Sequence, residues 1–155
     1  MEPIKTLTLH QPYASAIAFG MKRYETRPRN TNHRGLLAIH AGKAFNQEGM
    51  ESLHGFPWSD HITLPLARRY SPIGEQEFVK GAVVAVCVLS DCLLMDDALI
   101  QSIDAQERAM GHWEAGRYAY KLDNIQMLRT PVEARGKQGL WNWTPSDGDL
   151  EGIVL

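Results

Sequence analysis

The sequence predicts an α+β protein in which short strands and a few short helices form one small barrel. Strand-like segments follow one another without regular strand-helix alternation, which favours an α+β barrel over a doubly wound parallel sheet. The continuous apolar run from Ala82 to Leu89 is typical of a strand buried on both faces. The chain has 155 residues, which is the length of one ordinary domain.

The amino-terminal segment predicts a strand, a helix and two further extended stretches. Ile4 to Leu9 alternates apolar and polar residues, as half-buried strands do. Pro12 stands where a first helical residue belongs, and Gly20 suits the left-handed conformation that ends many helices. Lys22 to Arg27 is predicted to be extended, and an Arg-Gly turn then leads into a buried strand over residues 36–41.

The carboxy-terminal half predicts one helix and two strands. Asp96 to Ile103 is expected to be a short helix, with acidic residues near its positive end. Arg117 to Leu128 alternates in the manner of a strand, which Pro131 is expected to close. Leu140 to Trp143 is expected to be the last short strand.

The predicted domain organisation is a single domain over residues 1–145. Residues 44–80 are the least patterned part and are interpreted as an insertion between strands, with short helices near 47–53 and 64–70. Residues 146–155 are expected to form a loose acidic tail.

The charge is unevenly distributed along the chain. The net charge is −2, but residues 1–43 contain seven Lys or Arg side chains against two Glu side chains, so the acidic excess lies in the rest. One interpretation is a positive face for an anionic partner, most commonly a nucleic acid. The equally weighted alternative is that basic and acidic segments neutralise each other in the fold.

The sequence contains no motif for a cofactor, a metal ion, a membrane span or secretion. Glycine-rich dinucleotide and phosphate loops, a serine-hydrolase elbow and metal-ligand spacings are all missing, so we expect no cofactor and no metal. The longest apolar run has eight residues and the start of the chain does not read as a secretory signal, so no membrane partner is expected. Cys87 and Cys92 would lie on opposite faces of one strand, which fits unpaired thiols in a reducing cytoplasm.

Two blocks of sequence closely resemble a known family, the ASCH domain. The first block, residues 6–43, reads TLTLHQPYASAIAFGMKRYETRPRNTNHRGLLAIHAGK and contains a Gly-x-Lys-x-x-Glu-x-Arg motif. The second block, residues 117–143, reads RYAYKLDNIQMLRTPVEARGKQGLWNW and is similar to the closing strands of the family. The resemblance implies a PUA-like mixed β-barrel with short flanking helices and a cleft beside the motif.

The resemblance also implies two possible kinds of function. The family is regarded as binding RNA or other nucleic acids, and some members are hydrolases that cleave RNA or remove the acetyl group of N4-acetylcytidine. In the amidohydrolase branch the motif reads Lys-x-x-Thr-x-Arg, with the Lys and Thr catalytic. Here Lys22 and Arg27 match, but Glu25 stands at the Thr position. Thr26, one position later, points to the other face of a strand and cannot simply replace it.

The motif residues have chemical interpretations of their own. Lys22 could bind a phosphate or act as a base if it is desolvated, and Glu25 could accept a hydrogen bond from the amino edge of cytosine or adenine. Three residues apart, they would share a site only if a turn or bulge near Gly20 re-aimed Lys22. The alternative is a salt-bridged surface strand formed with Arg27.

The sequence therefore predicts binding of RNA or a modified nucleotide in a basic cleft, or hydrolysis of RNA or of an acylated nucleoside. For hydrolysis, the candidate catalytic residues are Lys22 and Glu25. The turn 136–139 could form a phosphate nest, while Trp141 and Trp143 share a strand face and His40 is expected in the core. The candidate nucleic-acid-binding residues are Gln11, Tyr13, Lys22, Arg23, Arg27, Arg34, Lys43 and Lys137.

Overall fold

The computed structural model describes residues 1–45 and 78–155. In this part of the chain the order of elements is β1 (Ile4–Gln11), α1 (Tyr13–Ala18), β2 (Tyr24–Arg27), β3 (Gly35–Phe45), β4 (Ala82–Leu94), α2 (Asp97–Ser102), α3 (Ala105–Ala109), β5 (Tyr118–Glu133) and β6 (Leu140–Trp143). The two helices predicted near 47–53 and 64–70 lie outside the described residues.

The six strands form one mixed sheet in the order β2-β5-β4-β3-β1-β6. The four segments predicted from the sequence, 4–9, 36–41, 82–89 and 117–128, all lie in it. The pair β1 and β3 is parallel, whereas the other neighbours are antiparallel. The predicted α+β class is confirmed. Among the strands that the structure describes, the sheet is open, with β2 and β6 at its two edges, in keeping with a barrel-like fold.

Alternate residues of the central strands pack on opposite faces of the sheet. On one face, α1 packs its small side chains against Leu37 and Ile39 of β3. On the other face, Ala38 packs beside Trp141 and Trp143, and both tryptophans belong to the core. Burial on both faces explains why β3 and β4 read as nearly continuous apolar runs.

Strand β5 continues past the proline that was predicted to close it. Pro131 lies inside β5, at a shift of register between the pairs Ala85 to Met127 and Val83 to Val132. A bulge leaves residues unpaired, so the missing N–H of a proline breaks no ladder hydrogen bond there. The sequence pattern identified the strand but not this irregularity.

The acidic tail is not loose. Leu150 and Ile153 pack against the core face that contains the tryptophans. The Gln126 side chain bonds both backbone groups of Val154, at 2.8 and 3.0 Å, and Arg129 pairs with Glu151 at 2.8 Å. Only two of the four apolar residues at positions 150–155 pack on this face, and their spacing alone does not predict the docking. In the described ranges, no helix is long and apolar enough to span a membrane.

Candidate functional site

The turn after α1 determines where the motif lysine lies. Gly20 adopts a φ of +75°, which glycine tolerates best, and the backbone N–H groups of Met21 and Lys22 both donate to the Ala16 carbonyl, at 3.0 and 3.1 Å. Lys22 therefore leaves the helix in a turn and not in an ideal strand. Its side chain, only 1% exposed, is brought to the same side as Glu25, as the sequence argument required.

Lys22 and Glu25 form a buried ion pair, with 3.8 Å between Nζ and Oε1. The Lys22 ammonium also donates to the Tyr24 carbonyl. Glu25 Oε1 accepts a hydrogen bond from the Thr26 backbone N–H at 3.0 Å, and Oε2 accepts one from the Arg27 guanidinium at 3.2 Å. The three motif side chains are thus ion-paired, but they form a partly enclosed cluster and not a surface strand.

A second carboxylate, Glu107 of α3, approaches this lysine and was missed by the sequence analysis. Its Oε1 accepts a hydrogen bond from the Arg23 backbone N–H, while Oε2 has no hydrogen-bond partner among the described residues. Burial raises the pKa of Glu107, and the nearby Lys22 charge opposes that rise. The spacing Asp104-x-x-Glu107 signals only a helix start, which Asp104 indeed caps at 2.8 Å, so no sequence feature marked Glu107 as a site residue.

Glu25 lies at a cleft beside the sheet edge. Two cavities, of about 530 and 430 Å³, share the lining residues Tyr13, Glu25, Thr26 and Arg117, and Arg27 borders the smaller one. We call the space bordered by these five residues the motif cleft. The Glu25 carboxylate, the Tyr13 phenol ring and two guanidinium groups therefore all border this cleft.

Backbone carbonyls hold both arginines of the motif cleft. Arg27 donates to the Thr8 carbonyl at 3.0 Å. Arg117 donates to the carbonyls of His112 at 3.0 Å and Thr26 at 3.5 Å. These contacts fix the guanidinium planes, so the cationic groups are positioned before any ligand arrives.

The structure corrects the expectation that Thr26 lies away from the cleft. Both Glu25 and Thr26 border it, because β2 is an edge strand and the loop around His112 folds against that edge. The Thr26 hydroxyl accepts a hydrogen bond from the His112 backbone N–H at 3.0 Å. This hydroxyl is therefore already engaged in a hydrogen bond.

A second concave region lies on the other side of Thr8. This cavity, of about 960 Å³, is bordered by four basic side chains, Lys43, Lys80, Arg135 and Lys137, and by one acidic side chain, Glu133. We call it the basic cavity. Part of the turn predicted as a phosphate nest, residues 136–138, also borders it.

A hydrogen-bond chain forms the wall between the two regions. The Trp141 indole N–H donates to the Thr8 hydroxyl at 3.0 Å, that hydroxyl lies 3.2 Å from His40 Nδ1, and His40 Nε2 lies 2.7 Å from the Ala134 carbonyl. Because a carbonyl only accepts, His40 Nε2 carries the proton and Nδ1 accepts from Thr8. Burial lowers the pKa of His40, which favours this neutral form. His40 is a core residue, as expected.

Gln11 does not reach either cavity. The residue is fully buried, and its side-chain amide donates to the Ser15 hydroxyl at 2.9 Å and to the Val79 carbonyl at 2.7 Å. Its carbonyl oxygen accepts from the Ser15 backbone N–H at 3.0 Å. Gln11 thus ties the start of α1 to the chain that enters β4.

The structure does not bring Lys22, Arg27 and Arg34, three of the residues predicted for one basic cleft, to a common surface. Lys22 is enclosed, and Arg34 lies at the start of β3, where it pairs with Asp91 at 3.6 Å. Arg23 borders a third, smaller cavity of about 240 Å³ near Glu107. Arg27 and Arg34 separate because Arg27 lies on the edge strand β2, whereas Arg34 precedes β3 in the middle of the sheet.

No metal site is formed by the part of the chain that the structure describes, since no three His, Cys, Asp or Glu side chains there could hold an ion. Both cysteines are free. Burial and the charge of Asp123 raise the pKa of the Cys87 thiol to about 12, so this thiol is not a nucleophile at neutral pH.

Comparison with known proteins identifies one family. The family model described as "ASCH domain" matches residues 7–129. An ASCH protein of Zymomonas mobilis with a solved structure is 16% identical, with a TM-score of 0.47, and the match covers 83% of this chain and 72% of that one. Two single-substitution variants of that protein give 16% and 17% identity, TM-scores of 0.47 and 0.45, and coverage of 83% of this chain against 74% and 72% of theirs. No curated protein matches the chain.

Proposed function

The chain belongs to the ASCH domain family, and on this premise we propose that it binds RNA or a nucleotide through the motif cleft. One observation carries the proposal. The Glu25 carboxylate, with its side chain 11% exposed, opens into a cleft that Arg27 and Arg117 border. A partly exposed carboxylate between two guanidinium groups suits a ligand that carries both the amino group of a base and a phosphate.

Glu25 would recognise the base. An ionised carboxylate has about four acceptor positions, and Thr26, Arg27 and Lys22 approach only part of them. The exocyclic amino group of cytosine or adenine is a donor that suits the remaining position. The ring of Tyr13 borders the same space, where a base could stack on it.

The arginines would bind the phosphate. Each guanidinium has five N–H donors, and the contacts of Arg27 and Arg117 engage only some of these. Together with Lys22, the two arginines also outnumber the carboxylates of Glu25 and Glu107. The attraction to an anionic ligand should therefore be sensitive to salt.

A second candidate is hydrolysis of RNA or of an acylated nucleoside. The observation that favours it is the placement of Glu25 in a cavity of ample size for a water and a base, where the carboxylate could accept a proton from that water. Lys22 is enclosed behind Glu25 and would position the carboxylate, not attack a substrate. Because no activated hydroxyl lies at the threonine position, a covalent acyl intermediate is not expected.

The test measures binding of short cytidine and uridine RNA by fluorescence anisotropy at two salt concentrations. Glu25→Gln should change the preference between the two bases more than the affinity, and Arg27→Ala should weaken binding of both about tenfold, as loss of a charge-assisted hydrogen bond implies. Arg129→Ala, which removes an exposed arginine outside both cavities, is the matched control.

A parallel incubation with N4-acetylcytidine and with unmodified RNA separates the two candidates. Binding without turnover supports the proposed function. Deacetylation or metal-independent RNA cleavage that is lost in Glu25→Gln would establish the hydrolase instead. If neither Glu25→Gln nor Arg27→Ala alters RNA binding, the motif cleft is not the binding site.

A further inference from the structure

The basic cavity holds three cations without partners. Within residues 1–45 and 78–155, the side chains of Lys43, Arg135 and Lys137 form neither an ion pair nor a hydrogen bond. Arg27, Arg34 and Arg129, by contrast, each pair with a carboxylate. Unpaired cations around one concavity repel each other, and an anion bound between them would remove that repulsion.

Two glycines allow the strand ends around this cavity to come close. Gly81 has a φ of +68°, and a Cβ built on it would lie 3.5 Å from Cε of Lys43, so the lysine stem runs along the glycine backbone. A Cβ on Gly136 would lie 2.8 Å from His40 Cε1 and 3.0 Å from the Thr8 hydroxyl. The loop that carries Arg135 and Lys137 therefore rests directly on the cavity floor, which keeps its cations beside Lys43.

The polar groups at the floor of this cavity are already engaged. The ring nitrogens of His40 are satisfied by Thr8 and Ala134, and the Thr8 hydroxyl also accepts from Trp141. The floor therefore offers few directional contacts that could distinguish one base from another. Four basic side chains against the single carboxylate of Glu133 leave an excess of positive charge, which suits phosphate groups irrespective of sequence.

We infer that the basic cavity is a second phosphate site, which binds backbone phosphates of the RNA strand whose base lies in the motif cleft. The inference rests on the proposed function for the path of that strand. Thr8 joins the two regions, since its carbonyl oxygen accepts from Arg27 at the motif cleft and its hydroxyl contacts His40 at the basic cavity. Both cavities are lined by this residue, so a strand that leaves one can enter the other.

The two sites should differ in the ligands that reveal them. A cytidine mononucleotide is short enough to occupy the motif cleft alone, whereas a ten-nucleotide strand would reach both. The affinity for the strand should fall with salt more steeply than the affinity for the mononucleotide, because the basic cavity binds additional phosphates. Tripolyphosphate has the phosphates without the bases and serves as the third probe.

The experiment compares the wild type with Lys43→Ala/Lys137→Ala by titration of the three probes at several salt concentrations. The salt slope for the strand should fall by roughly 0.7 for each phosphate that the variant no longer neutralises, while mononucleotide affinity stays within about twofold. Arg108→Ala/Lys121→Ala removes two charges from outside both cavities and is the matched control, with no expected change of slope.

The outcomes separate this inference from the proposed function. An unchanged slope in Lys43→Ala/Lys137→Ala, or a slope equally reduced in the control, overturns the inference and leaves the motif cleft untouched. Tighter binding of tripolyphosphate than of the strand also overturns it, because the cavity would then serve free phosphates. If Arg27→Ala and Glu25→Gln have no effect while Lys43→Ala/Lys137→Ala flattens the slope, the phosphate site stands and the base site in the motif cleft fails.

Discussion

The motif cleft and the basic cavity both border Thr8, yet their cationic side chains differ in burial and in bonding. At the motif cleft, Lys22 is 1% exposed and paired with a carboxylate, and Arg27 is anchored to a carbonyl. At the basic cavity, Lys43 and Lys137 are exposed and unpaired within the described ranges. The cations of the motif cleft are thus held in fixed contacts, whereas Lys43 and Lys137 have no such contact among the described residues.

The largest difference between the two regions should appear in stability. Lys22→Met leaves the carboxylates of Glu25 and Glu107 without their buried cation, and breaking such a pair typically costs about 3–5 kcal/mol of unfolding free energy. Urea denaturation measures the loss. Lys43→Met, the same substitution at the exposed site, should change the unfolding free energy by less than about 0.5 kcal/mol. Equal losses in the two variants would show that the buried lysine stabilises the fold no more than the exposed one.

A smaller effect is expected where the two regions meet. In Gly136→Ala the new methyl carbon would lie 2.8 Å from His40 Cε1, and His40 is buried and bonded at both nitrogens. Such overpacking typically lowers the unfolding free energy by about 1–3 kcal/mol. Thermal unfolding measures it, with Gln138→Ala at the exposed neighbour as control. If Gly136→Ala is as stable as the control, the close contact between Gly136 and His40 is not needed for stability.

A pH dependence distinguishes the buried cluster from the exposed cations. Burial raises the pKa of Glu107 above its ordinary 4.5. As pH rises, the Glu107 carboxyl therefore loses its proton in the unfolded state before it does so in the native state. The contribution of Glu107 to the unfolding free energy is greatest at acid pH. It falls as pH rises from about 4.5 to the pKa of the native state, by at most about 1.4 kcal/mol per pH unit.

Glu107→Gln should remove that slope in urea titrations between pH 4 and pH 7. Glu2→Gln, at the exposed amino-terminal end, should keep the wild-type profile. A slope that persists in Glu107→Gln would assign it to another carboxylate.

The smallest effect concerns a cation that belongs to neither region. Arg34 is about two-fifths exposed and its partner Asp91 about half exposed, so the ion pair is screened by water. Arg34→Ala should leave RNA affinity within about twofold and stability within about 0.5 kcal/mol. Anisotropy titration and urea denaturation check both values, and a tenfold loss of affinity would extend the binding surface to the start of β3.

Much of the fold could be predicted because it depends on local patterns. The Val-rich run from Ala82 and the alternation after Arg117 identify central strands, and Gly20 marks the end of α1. The parallel pairing of β1 with β3 and the bulge around Pro131 could not be predicted, since both depend on contacts between distant strands. The docked tail is missed for the same reason.

The candidate site could be predicted only in part. The motif places Glu25 and Arg27 at the cleft. The turn at Gly20 accounts for the Lys22 side chain lying on the same side as Glu25. Glu107 enters from a helix 82 positions after Glu25, and no spacing in the sequence connects the two. Burial likewise decides that Gln11 is structural, because its amide could equally have faced a ligand.

The contacts that shape the motif cleft also occupy the outer backbone groups of β2. Lys22 bonds the Tyr24 carbonyl, Glu25 bonds the Thr26 N–H, and Arg117 bonds the Thr26 carbonyl. An edge strand with open N–H and C=O groups invites a strand from another molecule to add to it. Here side chains bond three of these groups, so the residues that prepare the cleft for a ligand also disfavour the addition of a foreign strand to β2.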